Sequence, residues 1–227
     1  MLPGRLGIEQ ERAVSIDHLN FWKRRAERRY EQGQYAEALA AYERAIQFDP
    51  YRADLFEGKG DTLEKLGRYE EALTAYERAL ALDPDNATTQ HSYGSTLAEL
   101  KRYDEAIAAY SQAIALEPYN EEHYYCKVDL LSELGRNAEI LTTLAPLIEL
   151  DPYTPALYIK QCMALDCLGR YEEALEAADY AIRLDANNGF AYFCKLLPLK
   201  ALGRMEEYQQ AYQRARELGA REDEAEC

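Results

Sequence analysis

The stretch from Glu57 to Asn86, EGKGDTLEKLGRYEEALTAYERALALDPDN, carries two helical apolar patterns and the signals that end each of them. Phe56, Lys59, Gly60 and Leu63 recur at helical spacing, and after Gly67 the run Ala72, Leu73, Tyr76, Ala79 and Leu80 does the same. Gly60 and Ala72 are small where two such helices would cross, so the backbones approach closely and Tyr76 fills the remaining wedge. Gly67 ends the first helix in a conformation open to glycine. Asp83-Pro84 stops the second, because the residue before proline disfavours helical dihedrals.

The same pattern returns along the chain. Pro50, Pro84, Pro118 and Pro152 follow one another at intervals of thirty-four residues. In that register Ala38, Ala72, Ala106 and Ala174 align, as do Tyr42, Tyr76, Tyr110 and Tyr212, and Gly33, Gly67, Gly135, Gly169 and Gly203. One helix pair cannot bury its apolar faces alone, so the repeats must stack into a quasi-one-dimensional array with a shared core, read here as one domain. Most of the 19 tyrosines fall in the packing slots of Phe56, Tyr69 and Tyr76.

These residues resemble the tetratricopeptide repeat, without insertion, from Leu19 to Glu222. The resemblance implies an all-α protein, a right-handed α-solenoid of six helix-turn-helix repeats at residues 19–52, 53–86, 87–120, 121–154, 155–188 and 189–222. An extension or cap (1–18) precedes them and an acidic tail (223–227) follows, with Glu222, Asp223, Glu224 and Glu226 at that end. The fourth repeat departs from the pattern with Asn137, Ile140, Leu144 and Leu147, and Pro146 predicts a bend near residues 142–147. The sixth, with Leu196, Tyr208 and Pro198, should be distorted too; both departures read either as functional or as drift.

Composition narrows the function. The 227 residues carry 26 Lys+Arg against 41 Asp+Glu, a net charge of -15, with 48% hydrophobic residues, enough for a core. Such a charge repels nucleic acid, and no apolar stretch approaches the roughly 20 residues of a membrane span. No signal peptide is read at the amino end. Cys126, Cys162, Cys167, Cys194 and Cys227 are odd in number and show no CxxC pair, which points to thiols in a reducing cytoplasm. Even with His91 and His123 they lack the ligand spacing of a zinc site, so no metal and no cofactor is expected. There is no GxSxG, GxxxxGK or HExxH, and the pairs Glu70-Glu71 and Glu172-Glu173 mark solvent-facing helix starts. A non-enzyme is expected, and the regularity of the repeats has a bacterial look.

In the family that the chain resembles, first helices line a concave groove that binds extended or helical peptides. Carried over repeat by repeat, the groove positions are Lys23 and Glu27; Asp54, Glu57 and Asp61; His91 and Ser95; Tyr125 and Asp129; Ile159, Lys160 and Met163; and Phe190, Phe193 and Leu197. The first half is largely acidic and suits Lys or Arg on a partner protein; the second is apolar and suits a hydrophobic anchor. Phe190 and Phe193 alternatively close the end of the core. The Lys/Asn clamp of chaperone-adaptor relatives is missing: its slots hold Lys23, Glu27, Gly58, Thr88 and Ser92 in one register, Glu57, Asp61, Ser92, Glu122 and Cys126 in the next, and His91, Ser95, Cys126, Ala156 and Lys160 in a third. The expected function is therefore a peptide-binding adaptor, with an assembly-factor role among its forms.

The charge distribution supplies the alternative. Residues 1–52 carry nine basic and eight acidic groups, and residues 53–227 seventeen and thirty-three. The first helix, with Lys23, Arg24, Arg25, Arg28 and Arg29, reads as a solvating cap, and opposite charges at the two ends permit head-to-tail self-association into a scaffold.

Overall fold

The computed structural model describes residues 4–220, with side chains from residue 16 onward. The acidic tail and Cys227 lie outside the described residues, as do the side chains of most of the expected cap. The chain divides into two compact units, residues 1–123 and 124–227. Among the described residues every regular element is an α-helix, so the all-α, helix-turn-helix expectation holds.

In the first unit, α1 (Gly4–Glu31) pairs with α2 (Tyr35–Phe48), α3 (Ala53–Lys65) with α4 (Tyr69–Leu82), and α5 (Ala87–Glu99) with α6 (Tyr103–Leu116). The expected crossing of small on large is present: a Cβ on Gly60 would lie 2.5 Å from Cε1 of Tyr76, which is wholly buried. Leu55 joins Ala41, Tyr42 and Ala45 of α2, and Leu63 joins Leu39 of α2 and Tyr76 of α4, so each first helix packs against both of its neighbours.

The turns are built alike. At the end of α3, Gly67 has φ 70° and donates its N–H to the Glu64 carbonyl, while the N–H of Arg68 reaches back to Leu63 at 2.9 Å. Lys101 occupies the equivalent turn after α5 with φ 59°, the left-handed region that glycine takes in the other turns. In five of these turns the residue after the left-handed position is an arginine that starts a second clasp. Arg68 grips Glu71 through two hydrogen bonds of 2.7 Å, and the pattern recurs in Arg102–Glu105, Arg136–Glu139, Arg170–Glu173 and Arg204–Glu207.

The unit boundary falls within α7 (Glu121–Glu133). The second unit contains α8 (Asn137–Leu150), α9 (Pro155–Cys167), α10 (Tyr171–Leu184), α11 (Gly189–Cys194), α12 (Leu196–Ala201) and α13 (Met205–Glu217). The bend expected at Pro146 does not interrupt α8, and the proline is exposed. The distortion expected at Pro198 is a break: the sixth first helix is split at Lys195 into α11 and α12. Proline has no N–H to give the carbonyl four residues earlier, which belongs to Cys194. That carbonyl faces the buried thiol of Cys162 at 3.6 Å instead.

Candidate functional site

Glu57, Asp61 and Glu64 follow one another on one face of α3 at helical intervals of four and three residues. The Tyr76 hydroxyl is 2.7 Å from Oδ1 of Asp61 and 3.2 Å from Oε2 of Glu64. It has one proton, donated to the nearer oxygen. The Asn86 side chain donates to Glu57 at 3.3 Å, and the Thr96 hydroxyl lies 3.2 Å from Glu64. Among the described residues no ion pair reaches these three carboxylates. Burial, with Glu57 and Glu64 nearby, pushes the Asp61 carboxyl up to about 6 despite its bond from Tyr76, and burial raises Glu57 as well. The face is an incompletely neutralised acidic strip with low access to water.

Asp54, expected to contribute to this acidity, is differently engaged. It accepts from Lys23 Nζ at 2.6 Å and from Arg52, and Lys23 also pairs with Glu27 at 3.5 Å. Its carboxyl is held below the ordinary range: burial acts to raise it, and the hydrogen bonds from Arg52 and Lys23 outweigh that. Lys23, Glu27 and Asp54 therefore tie α1 to α3.

His91 and Ser95 mark a second cluster. Ser95 Oγ is 3.0 Å from the Tyr110 hydroxyl, and Nδ1 of His91 is 3.0 Å from Nδ1 of His123. His123 is 3% exposed, with Nε2 3.3 Å from Oε2 of Glu117. One proton arrangement satisfies both contacts with neutral rings: His91 Nδ1–H donates to His123, and His123 Nε2–H donates to Glu117. Burial, and then the neighbouring His123, push His91 below the ordinary imidazole value. Among the described residues no group of three or more side chains could hold a metal.

In the second unit, Asp129 and Lys160 form an ion pair of 2.7 Å, and Tyr125 is partly buried. Lys160 and Met163, with Ile140 and Cys167, line a cleft of about 320 Å3. Ile159 is corrected: it is 7% exposed and packs with Tyr158, Ala181 and Ala191, so it belongs to the core. Phe190 and Phe193 are partly buried against the clusters around Ala191 and Leu199, whereas Leu197 is exposed. Sequence reasoning missed Glu64, although its spacing of seven from Glu57 places it on the same helix face. It also missed Tyr76 as a polar member of the site.

Residues 23–87 and 57–121 match the model of the tetratricopeptide repeat family. No curated protein is matched by the sequence. Among solved structures, the MamA protein superposes with a TM-score of 0.67 at 19% identity, covering 76% of this chain and 94% of that one. YrrB, described as a TPR protein with an unusual peptide-binding site, gives 0.65 at 21% identity, with 79% and 92% covered. The first TPR of Spaghetti (RPAP3), bound to the HSP90 peptide SRMEEVD, gives 0.51 at 23% identity over 52% and 94%. These likenesses show the fold. With thirty-four-residue helix pairs, glycine-ended turns and the family match in agreement, residues 23–121 are tetratricopeptide repeats, and the solved neighbours share the chain's helix-pair fold.

Proposed function

We propose that the chain is a non-catalytic protein-interaction module, an adaptor that receives a basic side chain of a partner peptide on the acidic strip of α3. The observation that carries this reading is the trio Glu57, Asp61 and Glu64, half-buried and supplied with neutral donors but no ion pair among the described residues. A Lys or Arg entering such a site gains charge-assisted hydrogen bonds in a setting where water screens little. Fold neighbours described with peptide-binding sites support a peptide as the ligand. The charge preference is opposite to that expected for an acidic peptide such as SRMEEVD, since an acidic strip repels carboxylates.

Selection of displayed random peptides on the wild-type chain and on the double variant Glu57→Gln, Asp61→Asn tests this. Wild-type selections should enrich Lys or Arg within short apolar sequences, and the double variant should lose that enrichment. Enrichment of acidic sequences, or basic enrichment indifferent to the substitutions, would refute the assignment. The self-associating scaffold is the second reading, supported by the excess of arginine on α1. Light scattering in low and high salt distinguishes it, because a strictly monomeric chain in both removes it.

A further inference from the structure

The outward face of α1 carries Phe21, Arg24, Arg25, Arg28 and Arg29, which with Asp17, Asn20 and Gln32 line a cleft of about 740 Å3, four guanidinium groups to one carboxylate. Phe21 is 56% exposed. Thirty-four residues later, the same positions are Leu55, Gly58, Lys59, Thr62 and Leu63 on α3. There Leu55, Thr62 and Leu63 are wholly buried, Leu55 against Ala41, Tyr42 and Ala45 of α2 and Leu63 against Leu39. A Cβ on Gly58 would lie 2.4 Å from Tyr42. On α5 the corresponding Thr89, Thr96 and Leu97 are buried as well, with α4 alongside. The fold therefore lays a helix across this face of α3 and of α5. On α1, where the described residues of the same unit pack α1 against α2 and α3, no helix among them is laid across this face in the same way.

The chemistry of the missing helix follows from how the covering helices meet this face. Glu43 of α2 pairs with Lys59 at 3.1 Å, and Glu77 of α4 accepts from the Tyr93 hydroxyl at 3.3 Å. In the second unit Asp179 of α10 pairs with Lys195 at 2.6 Å. Arg25 stands in the slot of Lys59, Tyr93 and Lys195. Its guanidinium lies 5.3 Å from the centre of the Trp22 ring. Among the described residues Arg24 and Arg28 have no ion-pair partner, while Arg29 pairs with Glu37. Four guanidinium groups around one exposed phenyl ring, on a chain whose net charge is -15, select for carboxylates beside an apolar residue.

We propose that this face of α1 is a docking site for an acidic amphipathic helix of a partner protein, laid where α2 lies on α3. The helix would set carboxylates against Arg24, Arg25 and Arg28 and an apolar side chain on Phe21. A second copy of this chain presenting its last helix is a poorer fit. At the places of Leu39, Glu43 and Ile46, α13 carries Gln209, Gln213 and Arg216, with no apolar residue and a cation facing cations.

The test uses the full chain and a hydrocarbon-stapled peptide of residues 69–82, YEEALTAYERALAL, the acidic helix that covers α5 in this protein. Fluorescence anisotropy should show saturable one-to-one binding, weakened at least tenfold in Arg24→Glu, Arg28→Glu and also in Phe21→Ser. A peptide with its glutamates replaced by glutamine should lose binding similarly on the unaltered protein, a control that needs no folded variant. Absence of binding, or binding indifferent to these changes, overturns the proposal. Light scattering of the chain alone is the second arm. A dimer that dissociates in Arg24→Glu, Arg28→Glu assigns the face to a second copy and overturns the choice of a separate partner, whereas a monomer upholds it.

Discussion

The hydroxyl of Tyr76 is 2.7 Å from Oδ1 of Asp61, joining the second helix of a repeat to the acidic face of its first helix. Tyr76 is at once the wedge that fills the helix crossing and the donor that holds a half-buried acid in place. Packing and the ordering of the acidic strip thus meet in one side chain.

Asp61 should make the protein's stability depend on pH in a particular direction. Its folded carboxyl titrates at about 6, against an ordinary 3.8, so between those values the folded state binds the proton more tightly than the unfolded one. Stability then falls as pH rises through that window, by about 2–3 kcal/mol at roughly 1.4 kcal/mol per pH unit. Asp61→Asn, which keeps an acceptor for Tyr76, should be more stable than wild type at pH 7 by about that amount and nearly equal to it at pH 4. Urea unfolding at the two pH values checks the sign.

His91 acts in the opposite sense. Its folded pKa is lowered, so the unfolded chain takes up the proton first as pH falls below the ordinary imidazole value. Stability is lost on acidification below about pH 6.5, and a proton added to each ring would set two N–H groups against each other across the 3.0 Å contact. Denaturation of His91→Gln between pH 5 and 7 should show a shallower acid-side loss than wild type.

Gly60→Ala places a methyl 2.5 Å from the ring of Tyr76, and the ring is enclosed on all sides. The expected loss is about 1–3 kcal/mol, as for other overpacked cores, with weaker binding at Asp61 because the phenol must move. Urea midpoints together with peptide affinity measure both effects.

Lys101 departs from the glycine used at the equivalent turns, at φ 59°. Lys101→Gly should raise stability by about 1 kcal/mol, since a left-handed conformation is costly for a residue with a Cβ. A rise in the urea midpoint at unchanged slope would show it, and a fall would contradict the account.

Cys162→Ala removes the donor that faces the Cys194 carbonyl across 3.6 Å. An unmet buried carbonyl costs about 1–3 kcal/mol, and the weak thiol donor places this change near the lower end. Cys162→Ser, which retains a donor, should lose less if the contact matters. Comparing the two thermal midpoints separates lost packing from the lost hydrogen bond.

Much of this was legible from the thirty-four-residue period alone. Gly67, Asp83-Pro84 and the crossing of Gly60 with Tyr76 all stand where the pattern put them, because turn chemistry and close packing are local properties. The period also places His123 in the slot of Leu55, a signal of burial that histidine's polarity obscured. What the pattern did not reveal was how inward-facing charges are shared. Asp54 could be expected in the groove, but its capture by Lys23 and Arg52 depends on side-chain reach between repeats. Ile159 was assigned to the groove, yet the packing around Ala181 and Ala191 takes it into the core. The break before Pro198 was foreseeable, whereas the thiol that meets the released carbonyl lies thirty-two residues away and was not.

The five arginine–glutamate clasps have each partner within three residues of the other, so each is carried whole by its own segment. A duplication or deletion of thirty-four residues, wherever it begins within the repeat, regenerates a complete clasp at the junction and strands no charge. The ties from Lys23 to Asp54 and from Lys160 to Asp129 have no such immunity, since each spans thirty-one residues and joins two successive repeats. Lengthening of such an array by unequal copying would therefore leave its turn clasps intact while rewriting the ties between first helices, the helices on which partner binding is proposed.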